Sequence, residues 1–185
     1  EVIMGCMMPS EDEANIARII ALRLGCGKSV PAWTVQRNCA SGMQALDCTV
    51  KDIASGRSNL VLAGGTEAMS YAPILWGPAM VAWLAQWSAA RSAGARAKAL
   101  LALRPAHLKP VIAILRGLTD PVVGLSMGQT AEVLAHRFGI TRDAMDAYAA
   151  RSHERLAAAA AEGRLGEITP IVDDRGHAHD YDDGV

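Results

Sequence analysis

The apolar positions of this chain change period several times, and each change predicts a new element. Val2 to Met7 is an unbroken apolar run of strand length, ended by Pro9-Ser10. From Glu11 the chain reads as a helix running through Ala14, Ile16, Ala17, Ile19, Ile20, Leu22 and Leu24. Ser10 is the expected N-cap of that helix, and Gly25 and Gly27 are its stop. Trp33 to Gln36 is β-prone and runs straight into the helix formers Met43, Gln44, Ala45 and Leu46. A strand is therefore expected to turn abruptly into a helix over about 40–55, closed by Gly56. Asn59 to Ala63 reads as another buried strand, turned by Gly64-Gly65.

Beyond Asp120 the pattern is mostly helical. One helix is predicted over Thr130 to Arg137, ended by Gly139, and a second starts at Thr141 as N-cap. The second runs through Tyr148 and His153 into an alanine-rich stretch that closes near Gly163. Ile168 to Val172 reads as a strand, and Asp173-Asp174-Arg175-Gly176 as a turn leading into an acidic tail. Strands alternating with helices imply an α/β fold: a mainly parallel sheet with helices on its faces.

The stretch between Trp76 and Thr119 departs from this rhythm. It holds Arg91, Arg96, Lys98, Arg104, Lys109 and Arg116 and no acidic residue. Trp76, Trp83 and Trp87 are here too, and Met80, Trp83, Leu84 and Trp87 share one helical face by spacing. Pro105 and Pro110 break the stretch into pieces. Two readings stand side by side: helices that pack on the core with solvated basic residues, or an interfacial segment with tryptophans at a lipid headgroup layer. The organisation read from these shifts is 1–75, a first α/β region; 76–119, a cationic amphipathic insertion; and 120–185, a helical region that leads back to the core.

Composition narrows the class. Half of the 185 residues are apolar and the formal net charge is −1, so a packed core is expected and no pull toward nucleic acid. No apolar run has the length of a bilayer span, and the opening residues lack a signal-peptide pattern. Cys6, Cys26, Cys39 and Cys48 show no metal-ligand spacing and no disulfide framework, so a reducing cytosol is the default. His177 and His179 beside Asp180 are poor evidence for a metal. No metal site is expected.

Cys39 is the candidate for chemistry. The strand-to-helix turn puts its thiol at the first amides and the positive end of a helix dipole, an arrangement that favours thiolate and could hold a developing oxyanion. The alternative is a small buried hydrophobe. Cys48, about two and a half helical turns further on, reads as core.

Three blocks carry a resemblance. Asn38-Cys39-Ala40-Ser41-Gly42-Met43-Gln44-Ala45 resembles the nucleophile motif of the thiolases, acyl-CoA acyltransferases. Leu60-Val61-Leu62-Ala63-Gly64-Gly65-Thr66-Glu67-Ala68-Met69-Ser70 resembles the strand and glycine turn that follow it. Met127-Gly128-Gln129-Thr130-Ala131-Glu132, with Arg137 to Arg142 and Ala149 to His153 behind it, is similar to a third thiolase segment. The blocks stand in the family's order, and 76–119 falls between the second and third as an apparent insertion.

The resemblance implies half of a five-layered α-β-α-β-α fold. It implies Cys39 as the nucleophile that takes an acyl group from acyl-CoA or 3-ketoacyl-CoA, with its own N–H in one oxyanion hole. It implies no resident cofactor, coenzyme A being substrate or product. Met127 matches a position lining the pantetheine channel, with Ser126 beside it where many members carry His; helix-start packing is the other reading of Met127. The wording of the nucleophile motif leans toward fatty-acid degradation. A homodimer or tetramer is implied, in the cytoplasm, and 76–119 could meet a multifunctional oxidation subunit, a membrane surface or the phosphates of coenzyme A. The family's Gly-His-Pro and second Cys-x-Gly motifs are not among these residues, and both ends are expected to be cut, leaving an incomplete and inactive N-terminal portion. A ketoacyl synthase-type condensing enzyme and an inert thiolase-like binding module are the competing readings.

Overall fold

The computed structural model describes residues 1–181; the last four positions of the acidic tail lie outside the described residues. The chain divides into two compact units, Glu1–Leu118 and Thr119–Val185.

The first unit is built on a three-stranded parallel sheet. Strand β1 (Val2–Gly5) begins it, helix α1 (Ile16–Arg23) follows, then β2 (Ala32–Val35), α2 (Ser41–Ala54) and β3 (Leu62–Gly65). The order is β2-β1-β3, with Val2 opposite both Ala32 and Leu62 and Gly5 opposite both Val35 and Gly65. β1 is central because it is apolar on both faces, as a strand covered by helices must be. Val2 packs with Ala17 and Ala21 of α1, joined by Met4, Val30 and Ala32. Gly5, on the alternate face, lies against the start of α2. The mainly parallel α/β fold expected from sequence is what the chain adopts.

Several boundaries moved, each for a local reason. Glu11–Glu13 is only a short 3-10 turn, and Ser10 makes no side-chain cap. The cap of α1 is Asn15, whose Oδ1 accepts from Arg18 N and whose Nδ2 donates to Ala32 O on the neighbouring strand. Gly64 and Gly65 do not turn β3 but end it inside the sheet, and Asn59 to Leu60 lie before it. β3 is also not buried in these residues, Leu62 being about half exposed.

The cationic stretch is a helical excursion between two paired strands. β4 (Ile74–Trp76) runs antiparallel to β5 (Pro110–Ile112), and between them lie α3 (Pro78–Ala89), α4 (Ala93–Leu101) and a 3-10 turn at Pro105–Leu108. Trp83 and Trp87 stack with centroids 5.7 Å apart, and Trp83 Nε1 donates to Ala99 O at 2.7 Å. Met80, Ala90 and Ala99 are buried. A short helix α5 (Ala113–Gly117) follows. No helix of the described residues is long and apolar enough to cross a membrane.

The second unit holds α6 (Met127–Phe138) and α7 (Arg142–Ala161). Gly139, at φ +64°, ends α6 in the left-handed conformation that glycine adopts without cost. Thr141 caps α7 by accepting from Ala144 N, as its sequence position predicts. The expected strand from Ile168 shrinks to β6 (Ile171–Val172), a hairpin arm paired with β7 (Ala178–His179) across the Asp173 turn.

Candidate active site

Cys39 stands where β2 gives way to α2, and its side chain is exposed. Among the described residues Cys39 is therefore not a buried core side chain. The turn is tight enough to put Asn38 at φ +48°, the left-handed region that costs a residue with a Cβ and that asparagine enters more readily than most. Ala40 N donates to Arg37 O and Ser41 N to Asn38 O, at 3.0 and 3.1 Å. Two of the first amides at this helix end are thus already used within the turn. Ala40 has no side chain to cap with.

The floor of the turn is backbone. A Cβ at Gly5 would lie 2.5 Å from the carbonyl carbon of Ser41 and 2.6 Å from Gly42 N. A Cβ at Gly65 would meet Gly5 O at 3.3 Å and Gly42 Cα at 3.7 Å. The small residues at 40–42 let a helix end sit on two strand ends. Ser41 is buried at 5% exposure; its Oγ accepts from Arg37 N at 2.8 Å and donates to Asn38 O at 2.6 Å.

A polar chain runs along the exposed side of α2. Arg37 Nη1 donates to Gln44 Oε1 at 2.6 Å, and Gln44 Nε2 donates to Asp47 Oδ2 at 3.0 Å and approaches Cys48 Sγ at 3.4 Å. The Lys51 ammonium, hydrogen-bonded to Asp47, holds that carboxyl below the usual carboxylate range, with Gln44 adding to it. Cys48, expected in the core, is only half-buried because it faces this chain.

Glu67 secures the other strand end. Its carboxylate accepts from Met7 N at 2.8 Å and Met8 N at 3.0 Å, and Cys6 Sγ approaches it at 3.7 Å. Burial first, then the negative charge of Glu67, pushes the Cys6 thiol above its ordinary pKa. Glu67 is a hydrogen-bond acceptor that fixes the loop after β1.

Ser126 and Met127 lie in the second unit. Ser126 caps α6 in a reciprocal box: its Oγ accepts from Gln129 N at 3.2 Å, and Gln129 Oε1 accepts from Ser126 N at 2.8 Å. Met127 is the first helical residue and is 48% exposed. Of the five histidines, His136, His153, His177 and His179 are exposed and His107 is half-buried. Among the described residues no group of metal-ligating side chains is assembled. A cavity of about 330 Å³ lies in the cationic excursion, lined by Trp83, Gln86, Arg104 and His107 among others, and Cys39 does not line it. Gly5, Asn38 and Ser41 are the residues of the turn that sequence patterns left unassigned; the strand-final glycine and an asparagine just ahead of the nucleophile were the available signals.

The model of the family described as thiolase, N-terminal domain, matches residues 1–184. The acetyl-CoA acetyltransferase of Pseudomonas aeruginosa is 36% identical over 173 residues, which are 92% of this chain and 39% of that protein. The mitochondrial trifunctional enzyme subunit beta of Mus musculus is 34% identical over 170 residues, 92% of this chain and 35% of that protein. Among solved structures, human mitochondrial 3-ketoacyl-CoA thiolase in complex with CoA superposes with a TM-score of 0.76 at 31% identity, covering 98% of this chain and 41% of that one. The chain spans about two fifths of the length of these relatives.

Proposed function

Because the chain belongs to the thiolase family, whose N-terminal domain it matches, we propose that it carries the acyl-accepting step of an acyl-CoA C-acyltransferase, with Cys39 as nucleophile. The observation that carries this reading is an exposed sulfur on a tight strand-to-helix turn, in the residues that resemble the family's nucleophile motif. The Cys39 thiolate attacks the thioester carbonyl of acyl-CoA, the carbon–sulfur bond to coenzyme A breaks, and coenzyme A leaves as a thiolate that takes up a proton. On a 3-ketoacyl-CoA the attack falls on the 3-keto carbon and the carbon–carbon bond breaks. Acetyl-CoA then leaves as its enolate and is protonated, and the thiol of coenzyme A takes the acyl group from Cys39. The positive end of α2 favours the negative charge formed at the carbonyl oxygen.

Ser126 and Met127 are assigned to the pantetheine arm of the substrate, and coenzyme A is substrate and product with no resident cofactor. Fatty-acid degradation is the assigned direction, in the cytoplasm and in a homodimer or tetramer. The stretch at 76–119 is assigned as the surface for a multifunctional oxidation subunit or a membrane. The proposal covers the acyl-accepting step and not complete turnover. Mass-tagged acetyl-CoA tests the proposal. Label on Cys39 of the 185-residue chain, without release of product, is the expected result. A folded chain that takes no label makes this polypeptide a binding module, and the proposal falls.

A further inference from the structure

Building on the acyl-transfer reading of Cys39, we infer that Ser41 is a positioning residue for that sulfur, acting through its hydroxyl on the two residues that precede the nucleophile. Serine near the start of a helix ordinarily points its oxygen forward, as an N-cap that accepts from amides two or three residues on. Ser126 and Ser92 do this in the same chain, accepting from Gln129 N and Ala95 N. Ser41 is one place too late to be a cap, and its oxygen points backward. It accepts from Arg37 N and donates to Asn38 O. Together with Ser41 N to Asn38 O and Ala40 N to Arg37 O, these bonds close a ring of five residues with Cys39 inside it.

The ring needs a lock. Asn38 holds a left-handed φ of +48°, a conformation that an L side chain leaves unless its neighbours prevent it. Ser41 is 5% exposed, so water is nearly excluded from replacing the hydroxyl. Below, Gly5 leaves the backbone of Ser41 no room to shift inward. Removing the hydroxyl strands the Arg37 amide, frees Asn38 to relax, and lets the sulfur leave the direction in which α2 presents it.

Ser41→Ala separates the hydroxyl from the smallness of the side chain, because alanine fits the same space. Two reactions of Cys39 are followed in the 185-residue chain: acylation by acetyl-CoA and alkylation by iodoacetamide. Acylation requires the sulfur and the helix end in register, whereas alkylation requires only an accessible thiol. The expected result is acylation slowed by about tenfold or more, since small misplacements of reacting atoms have effects of that order, with alkylation altered by less than about twofold. Parallel loss in both reactions, or a melting transition below the assay temperature, makes the hydroxyl a structural support and overturns the positioning role. Unimpaired acylation overturns it as well. A wild-type chain that alkylates but never acylates removes the acyl-transfer function and the positioning role with it, which distinguishes failure of the premise from failure of the inference.

Discussion

The turn at Cys39 and the helical region from Thr119 onward both use side chains that reach to backbone, but only the first is also packed backbone on backbone. Around Cys39 the contacts are backbone on backbone: Gly5 against Ser41 and Gly42, and Gly65 against Gly5 O and Gly42 Cα. In the second unit α7 buries none of its twenty residues, and α6 buries only Ala135. Its order comes from side chains that reach to backbone at element ends: Ser126 with Gln129, Thr141, and Asp173 in the hairpin. The first region cannot accept an added atom, because its neighbours are peptide groups with nowhere to go. The second has exposed helix faces that leave room for added atoms. Chemistry that needs a fixed sulfur suits the first arrangement.

The hardest test of that contrast is Gly5→Ala. One methyl placed 2.5 Å from a peptide carbon must push α2 off the sheet, at a cost of about 3 kcal/mol. Thermal denaturation should show the loss, and Cys39 alkylation should change with it. A wild-type melting curve would mean that the helix end is not pinned. Trp83→Ala probes the same unit away from the turn. Trp83 is half-buried, stacks on Trp87 and donates to Ala99 O, so its removal should cost about 2 kcal/mol. Alkylation of Cys39 should be untouched, and a coupled change there would show that the excursion supports the turn.

The same contrast explains what the sequence revealed. Strands and helices were legible where apolar period and turn residues agreed, as at Thr141 and Gly139, because those signals act within a few residues. Cys39 was legible because a β-prone run met helix formers across Ala40-Ser41-Gly42. Ser10 misled because a serine with Glu13 three places on matches a cap locally, whereas Asn15 also reaches Ala32 O on a strand distant in sequence. Gly64 and Gly65 read as a turn for the same reason. Only their pairing with Met4 and Gly5 keeps them inside the sheet. The backward hydrogen bonds of Ser41 have no local pattern at all, since they depend on Asn38 taking a left-handed conformation.

In the second unit the effects should be smaller and separable. Ser126→Ala and Thr141→Ala each remove a helix cap and should each cost about 1 kcal/mol, measured by chemical denaturation. They differ in one respect if Ser126 also meets the pantetheine arm. Ser126→Ala should then raise the acyl-CoA concentration needed to half-saturate labelling of Cys39, and Thr141→Ala should not. Equal behaviour of the two variants would reduce Ser126 to a cap.

The smallest effect belongs to the hairpin, and its direction is fixed by its hydrogen bonds. Asp173 Oδ1 accepts from Arg175 N and His177 N, both at 2.9 Å, while Oδ2 lies 3.2 Å from His177 Nδ1 and 3.6 Å from His179 Nε2. The His177 amide, then that of Arg175, followed by the two imidazoles, holds the Asp173 carboxyl below the usual carboxylate range. A carboxyl with a lowered folded-state pKa stabilises the hairpin fully above the unfolded value, about 3.9. That stability drains away as pH falls through the lower folded value. The His177 amide resonance should therefore report hairpin opening with a midpoint below about 3.9. In Asp173→Asn the step should vanish, while the amide stays partly protected because the asparagine carbonyl still accepts one bond. A midpoint at or above the ordinary carboxylate value would show that the turn is held by the pairing of β6 with β7, and that Asp173 merely accompanies it.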